Sequence, residues 1–366
     1  MVPALSNAGA RHRFILYHRE DADWLENPLP PNVQARPVAF GRPRLPRRLL
    51  WEQLVLPRRL ASDGVHLLVA PADVAPIFSR CPVVLAIRNA NPWWGPASST
   101  LLGRLRERML RRLSTLSARR AARVWFVSED SMRRIGGRLG IPSERMRVIP
   151  HGCPPWIARA ASLPAPALVG NRPPHILSVG AVRVHKDYEA MIEAFGRFVR
   201  HGGAPDGIRL LIAGHLQEPS YQRRLEGAVA RAGVSDRVNL LGGVPVSELA
   251  GLYHSAFCVV VASRVETFGY PLLEAMAFGK PVVATDIGPL RELGGDAALW
   301  YPEGDGPRLA AQLEALAASP SRRLELSRRA RERAADYTVE KAAGRILALI
   351  EECAYDSMRR SDPPRT

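Results

Sequence analysis

The sequence predicts an α/β protein made of two doubly wound domains with parallel sheets. Three observations lead to this prediction. The 366 residues are too many for one ordinary core and suit two domains of ~150–180 residues. Short, nearly all-apolar runs alternate with longer amphipathic patterns, as in parallel strands covered by helices on both faces. A stretch rich in proline and alanine, Pro154–Pro174, separates the two halves.

The candidate strands come in two groups. The first half contains Phe14–Tyr17, His66–Ala70, Val83–Ile87, Val124–Val127 and Arg147–Ile149. The second half contains Ile176–Val179, Arg209–Ala213, Val238–Leu241, Cys258–Ala262 and Pro281–Ala284. Between them, apolar residues recur at helical spacing, for example along 191–199.

These patterns define five parts of the chain. We predict an N-terminal domain over residues 1–153, a semi-rigid linker over 154–174 and a C-terminal domain over 175–338. A helix over 339–358 and a disordered tail over 359–366 complete the chain.

The beginning of the chain departs from an ordinary doubly wound domain. Such domains begin with a central strand, a glycine-rich loop and a helix. Here the sequence reaches an apparent second strand almost at once, and Met1–Ala8 suits the end of a first helix. We expect that the N-terminal domain lacks its first strand, and that the natural chain begins further upstream.

Composition excludes several classes of protein. Apolar residues make up 46% and charged residues 23%, which is the profile of a folded globular protein. No apolar run approaches the ~18–20 residues of a membrane span, and no secretory leader is visible. The four cysteines are far apart, so neither a zinc site nor a disulfide framework is indicated. We expect a cytoplasmic protein with reduced thiols.

The positive charge is concentrated in one half. Residues 1–168 carry 26 arginines and no lysine against 11 acidic residues, so +15 of the net charge of +16 lies there. Within this half, Arg104–Arg123 predicts a helix with arginines on one face and an apolar row on the other. The row consists of Leu105, Met109, Leu113 and Leu116.

Two interpretations of this helix stay open. Its apolar row packs into the core and its arginines are solvated, or the helix lies on anionic lipid at the inner face of the plasma membrane. On lipid, each arginine near the surface contributes on the order of 1 kcal/mol. No recognition motif accompanies the arginines, so we expect no nucleic-acid partner.

The most informative segment is Ser263–Glu292. A glycine, Gly269, precedes a predicted helix whose first turn contains Pro271, and Gly279 suits the helix end. A helix N-terminus behind a glycine is a natural anion site. Glu266 and Glu274 flank it eight positions apart. Because carboxylates repel phosphate, we expect them to accept hydrogen bonds from sugar or ribose hydroxyls.

This segment resembles the E-x7-E signature of the retaining glycosyltransferases of the GT-B fold, family 4, also called group 1. The resemblance rests on ETFGYPLLEAMAFGKPVVATDIGPLRE. The upstream runs HILSVGAVRVHKDYEAMIEAF and RVNLLGGVPVSELAGLYHSA are similar to that family in order and spacing. It implies two Rossmann-like domains facing a central cleft, with the nucleotide-sugar donor in the C-terminal domain.

The resemblance also implies roles for individual residues. Lys186 holds the diphosphate, Glu266 lies near the donor sugar, and these two are the candidate catalytic residues. Glu274 binds the ribose hydroxyls. The remaining donor-site candidates are glycines, loop residues and one further cation: Gly180, Arg183, Gly243, Val244, Pro245, Phe268 and Gly269.

The sequence departs from the family pattern at several positions. Ala181 stands where many members have an arginine, and Arg183 is the nearest replacement cation. On the acceptor side, Arg88 and Asn89 occupy the place of a histidine found in many members. His151 lies at a domain end, where a structural role is expected.

The implied function is transfer of a sugar from a nucleotide-diphosphate sugar to a glycan or lipid-linked acceptor, with retention of configuration. We expect it in bacterial cell-surface polysaccharide biosynthesis, with no cofactor and no metal ion. Two alternatives stay open: a catalytically impaired scaffold in a glycan-assembly complex, and a sugar-nucleotide epimerase or hydrolase.

Overall fold

The computed structural model describes residues 1–20, 28–38, 45–89, 93, 101–164, 173–216 and 219–361. Contacts between residues divide the chain into two compact units. The first unit contains the described residues up to Gly152 and again from Val339 onward. The second unit contains the described residues from Cys153 to Thr338.

The strands of the first unit form two parallel sheets. Strand β1 (Phe14–Arg19) pairs with β2 (Val33–Val38). A four-stranded sheet has the order β3-β4-β5-β6. Its strands are β3 (Leu68–Ala70), β4 (Val83–Ile87), β5 (Arg123–Phe126) and β6 (Met146–Val148). All five residues of β4 are buried, which explains their uninterrupted apolar character.

Helices connect these strands along the chain. The first unit has a C-terminal helix, described below, and several helices that precede it. The preceding helices are α1 (Val2–Ala8), α2 (Leu45–Leu50), α3 (Leu56–Ser62), α4 (Leu101–Arg120), α5 (Glu129–Ser131) and α6 (Gly137–Leu139). Single π-helical turns lie at Trp51–Val55 and Met132–Gly136, and a 3₁₀ turn lies at Ser143–Arg145.

The second unit contains one six-stranded parallel sheet. Its order is β12-β11-β10-β7-β8-β9. The strands are β7 (His175–Val179), β8 (Arg209–Ala213), β9 (Val238–Gly242), β10 (Ala256–Val261), β11 (Val282–Thr285) and β12 (Leu299–Tyr301). The chain starts in the middle, winds outward through β8 and β9, and returns to β10 on the other side of β7. This is the doubly wound order, with its switch point between β7 and β10.

Along the chain, one helix of the second unit precedes these strands and the others lie between or after them. They are α7 (Pro155–Ser162), α8 (Tyr188–Arg200), α9 (Pro219–Ala232), α10 (Val246–Ser255), α11 (Tyr270–Ala277), α12 (Gly288–Gly294), α13 (Gly306–Ala318) and α14 (Pro320–Ala334). The prediction of an α/β protein with two Rossmann-like units is confirmed.

The last helix, α15 (Val339–Ser361), belongs to the first unit. Its residues Ile346, Leu349 and Cys353 pack in one cluster with β4 and β5. Glu352 accepts hydrogen bonds from both Arg123 and Arg147. The helix extends past the predicted end at residue 358 and includes the first part of the predicted tail, while residues 362–366 lie outside the described part of the chain.

The predicted linker is wrong in its first part, because Pro155–Ser162 is an α-helix. Pro155 suits the first helical turn, and Ile157 is fully buried. The rest of the predicted linker, from 165 to 172, lies outside the described residues. Two strands were not predicted. In β2 an arginine and a proline interrupt the apolar pattern, and β12 has only three residues.

The arginine-rich helix α4 does not bury its apolar row. Leu105, Met109 and Leu116 are exposed, Leu113 is half-buried, and the buried residues are Ser114, Ser117 and Ala118. The core-facing interpretation is therefore wrong for three of the four residues of that row. Among the described residues, no helix is both long and apolar enough to cross a membrane.

Candidate functional site

The candidate site lies at the switch point of the second unit, where the loops after β7 and β10 meet. Ligands of doubly wound sheets bind beside the carboxyl ends of the strands at such a point. Gly180 follows β7, and its N–H donates to the carbonyl of Ala213 at the end of β8. A Cβ on Gly214 would lie 1.9 Å from the Gly180 carbonyl oxygen, so the two strand ends approach closely only because glycine is present.

Lys186 and Glu266 form an ion pair across these two loops. The Lys186 ammonium lies 2.5 Å from Glu266 Oε1, and the side chains are only 15% and 14% exposed. Lys186 ends a 3₁₀ turn, Val184–Lys186, that starts next to Arg183. A Cβ placed on Gly180 would be 3.9 Å from the Lys186 Nζ. The structure thus places Gly180, Lys186 and Glu266 close together.

A second ion pair joins the same loops, and sequence reasoning missed it. Arg264 donates to Asp187 through Nε and one terminal nitrogen, at 2.8 and 2.9 Å. The backbone N–H of Arg264 also donates to the His185 carbonyl at 2.9 Å. Burial, followed by the Lys186 charge, lowers the pKa of His185, so its ring is neutral beside these cations at neutral pH.

The helix after β10 begins as predicted. Gly269 precedes α11 with a φ of 103°, which favours glycine. A Cβ there would lie 2.4 Å from a methyl carbon of Leu290. Gly279 follows the helix with a φ of 62°. Phe268 is buried, with its ring edge-to-face against Tyr270.

Glu274 lies on α11 in a largely apolar environment. Burial raises the pKa of its carboxyl group to about 7. The hydroxyl of Tyr253, a fully buried side chain on α10, donates to Glu274 Oε2 at 2.7 Å. The Tyr253 ring stacks on Phe278 with 5.0 Å between centroids. Tyr253 therefore orients the carboxylate, and the sequence contained no local signal for it.

The loop after β9 contains Gly243, Val244 and Pro245, and Pro245 immediately precedes α10. A Cβ on Gly243 would lie 2.1 Å from the His215 ring. His215 follows β8, so the imidazole packs over this loop at the carboxyl edge of the sheet. The rule that functional residues follow strand ends could have pointed to His215.

Arg88 and Asn89 lie in the first unit, directly after β4. Their backbone N–H groups donate to Asp73 Oδ1 at 2.7 and 3.1 Å, so the Asp73 carboxylate fixes this turn. Burial raises the pKa of Asp73. Burial and the positive charge of Arg88 lower the pKa of His151 to about 3, so His151 is neutral at neutral pH.

The second-unit site combines a cation, two carboxylates and a helix N-terminus. Such a set can bind an anion at the cation and the positive end of the helix, and can orient hydroxyl groups at the carboxylates. Within the described ranges, no three His, Cys, Asp or Glu side chains come together in a way that could hold a metal ion.

Two family models match the chain. Residues 163–333 match the family described as glycosyl transferases group 1, and residues 1–155 match the family described as glycosyltransferase family 4. A D-inositol 3-phosphate glycosyltransferase of Segniliparus rotundus is 31% identical over 179 residues, covering 46% of this chain and 38% of that protein. The chain therefore spans less than two thirds of that relative's length.

Solved structures have a similar fold. Sucrose-phosphate synthase from Thermosynechococcus elongatus superposes with a TM-score of 0.71 at 24% identity, covering 96% of this chain and 91% of that one. Anabaena HepE, solved in complex with UDP and glucose, has a TM-score of 0.65 at 19% identity and covers 87% of this chain and 86% of its own. Residues 163–333 thus match the group 1 glycosyltransferases, residues 1–155 match glycosyltransferase family 4, and the chain has a GT-B-like fold.

Proposed function

We propose that the protein is a retaining glycosyltransferase that takes a sugar from a nucleotide-diphosphate sugar. The Lys186–Glu266 pair at the switch point is the observation that carries this proposal. A sugar diphosphate presents an anion beside a set of hydroxyl groups. An ammonium and a carboxylate in contact, both shielded from solvent, match those two features.

Each site residue has a role in this proposal. Lys186 and the amides around Phe268 and Gly269 stabilise the charge that develops on the departing diphosphate. Glu266 accepts hydrogen bonds from the donor sugar, and Glu274, oriented by Tyr253, accepts them from the ribose. Arg183 is the second cation near the diphosphate, and the loop from Gly243 to Pro245 lies beside the base.

The proposed reaction needs no metal ion, because the cations and amides neutralise the leaving group. The bond between the anomeric carbon and the diphosphate oxygen breaks, and a bond from that carbon to the acceptor oxygen forms on the same face. The acceptor proton passes to the departing phosphate. Retention of configuration is an implication of the family resemblance and is part of the proposal.

The acceptor we propose is a glycan or lipid-linked sugar used in bacterial cell-surface polysaccharide biosynthesis, at the cytoplasmic face of the membrane. Helix α4 supports this choice. Leu101, Leu102 and Leu105 are 67%, 80% and 51% exposed. The five arginines of its first three turns are also exposed: Arg104, Arg106, Arg108, Arg111 and Arg112.

Two further exposed leucines lie in the first unit. Leu50 and Leu54, next to the basic residues of α2, are also exposed. The Ala75 carbonyl accepts hydrogen bonds from both Gln53 and Ser117, so the segment Trp51–Val55 and the C-terminal part of α4 contact the same residue. Exposed leucines flanked by arginines suit the interface of an anionic bilayer.

A donor screen tests the proposed function. Thermal unfolding is measured with UDP-, GDP-, ADP- and dTDP-sugars, starting with UDP-glucose because HepE was solved with UDP and glucose. We expect one sugar nucleotide to raise the Tm of the wild-type chain and not that of Lys186→Ala. No shift with any donor would contradict the proposal. Donor turnover without acceptor would favour the epimerase or hydrolase, and binding without any turnover would favour the scaffold.

A further inference from the structure

The two loops of the donor site are joined by a pair of side chains that the proposed reaction does not use. Asp187 is the residue after Lys186, and Arg264 lies two residues before Glu266. Both carboxylate oxygens of Asp187 accept hydrogen bonds from Arg264, at 2.8 and 2.9 Å. The Asp187 side chain is 9% exposed and that of Arg264 is 48% exposed.

Helix capping does not explain the position of the Asp187 side chain. Asp187 directly precedes α8, where an aspartate usually caps the helix through its side chain. Here it makes no side-chain cap, and its φ is +52°. This left-handed conformation is unfavourable for a residue with a Cβ. The backbone conformation instead directs the carboxylate across to the loop after β10.

The pair has a direct geometric consequence for Lys186 and Glu266. Arg264 is fixed to the first loop at two points, its side chain on Asp187 and its N–H on the His185 carbonyl. Lys186 lies between those two attachment points in sequence. These two attachments therefore fix the distance between the loops beside the contact of the Lys186 ammonium with the Glu266 carboxylate.

The pair also keeps the Asp187 carboxylate from pairing with the Lys186 ammonium. A buried aspartate adjacent to Lys186 would compete for its ammonium if it had no other partner. The bidentate bond to Arg264 satisfies both oxygens, because a guanidinium matches a carboxylate in a planar, two-bond geometry. The Lys186 ammonium is thereby left for Glu266 and for an incoming diphosphate.

We infer that Asp187 and Arg264 are positioning residues of the donor site, which hold Lys186 in place to receive the diphosphate without themselves touching the donor. This inference rests on the proposed function. It predicts that loss of the pair weakens diphosphate binding only where Lys186 is present. If the pair had a merely structural role, its loss would alter stability, and any effect on diphosphate binding would be the same with and without Lys186.

A double-mutant cycle tests the inference. The Kd values of UDP, GDP, ADP and dTDP are measured by isothermal titration calorimetry, and the tightest ligand is taken further. The variants are Asp187→Asn, Lys186→Ala and the two combined. We expect Asp187→Asn to raise Kd about tenfold in the wild-type background and to have no effect in the Lys186→Ala background.

Two further variants complete the design. Glu189→Gln removes the ion pair between α8 and Arg224, which is also bidentate but joins two helices, and it should leave Kd unchanged. Arg264→Lys keeps the charge but loses the planar two-bond geometry, so it should repeat the result of Asp187→Asn if that variant does not fold.

Three results would overturn the inference while leaving the proposed function intact. The first is an unchanged Kd in Asp187→Asn and Arg264→Lys. The second is an equal loss of affinity with and without Lys186. The third is tighter binding in Asp187→Asn, which would show that a released Arg264 contacts the diphosphate itself. Failure of the wild-type chain to bind any nucleotide would instead overturn the proposed function, and the inference with it.

Discussion

Replacing Tyr253 by phenylalanine removes one hydroxyl from a fully buried position and leaves Glu274 without its donor. In the folded state, burial raises the Glu274 pKa from 4.5 to about 7, while the hydrogen bond from Tyr253 acts in the opposite direction. Burial and the Glu274 charge raise the pKa of Tyr253, so its hydroxyl remains a donor at neutral pH. The substitution should therefore raise the Glu274 pKa above 7.

The sign of the pH effect follows from proton binding. Between pH 4.5 and about 7 the folded carboxyl binds a proton and the unfolded one releases it, so stability falls as pH rises. For the wild type this loss is roughly 3 kcal/mol over that window. In Tyr253→Phe the loss continues to a higher pH, because the charged form has lost its hydrogen bond.

The free energy of unfolding that is lost in Tyr253→Phe should depend on pH. A hydrogen bond to a charged group contributes roughly 1.5–3 kcal/mol, and one between neutral groups roughly 0.5–1.5 kcal/mol. Tyr253→Phe should therefore destabilise the second unit by about 1 kcal/mol more at pH 8.5 than at pH 5. Urea unfolding of the variant and the wild type at the two pH values measures this difference.

Tyr301→Phe is the matched control. Tyr301 is also buried in the second unit, and its hydroxyl accepts a hydrogen bond from the neutral Thr285. Its cost should be the same at both pH values. If Tyr253→Phe also costs the same at pH 5 and pH 8.5, the assignment of a buried, Tyr253-supported carboxylate at Glu274 is refuted.

Three further predictions concern the donor site and the basic surface. Glu274→Ala should weaken binding of the sugar nucleotide by roughly 1.5–3 kcal/mol, because ribose hydroxyls lose a charged acceptor, and an unchanged Kd in calorimetry would contradict that role. Gly269→Ala should lower the Tm, since the new Cβ meets Leu290 at a positive φ, and an unchanged Tm would show that the turn adapts. Substituting Arg108, Arg111 and Arg112 by glutamine should reduce sedimentation with anionic vesicles, and wild-type binding should fall steeply as salt rises. The same triple change at the exposed Arg197, Arg223 and Arg322 of the second unit should have little effect, and equal binding to neutral and anionic vesicles would argue against a lipid surface.

Elements with local signals were predicted well. Val83–Ile87 and Arg209–Ala213 have the predicted bounds, because a parallel strand covered on both faces is apolar at its buried positions; only Arg209, at the start of the second strand, is exposed. The turn at Gly269 and the helix end at Gly279 follow from the backbone conformations that glycine permits. These parts of the site are encoded within a few neighbouring residues.

Features that depend on distant residues were not predicted. Asp187 and Arg264 are 77 residues apart, and Tyr253 and Glu274 are 21 apart, so no periodicity relates the members of either pair. Leu105 and Met109 have helical spacing, yet spacing alone does not show whether an apolar row meets a core or solvent. Only the packed structure shows that this row is exposed.

The most direct test of the central claim is the single-turnover rate of donor consumption, with the best donor from the screen, in the wild type and in Lys186→Ala. Lys341→Ala is the control, because Lys341 is an exposed lysine of α15 in the first unit. The account predicts that Lys186→Ala lowers the rate by at least 100-fold while the control keeps the wild-type rate, since one group that stabilises developing charge contributes about 10²–10³. An undiminished rate in Lys186→Ala would contradict the claim that the Lys186–Glu266 pair is the centre of the donor site.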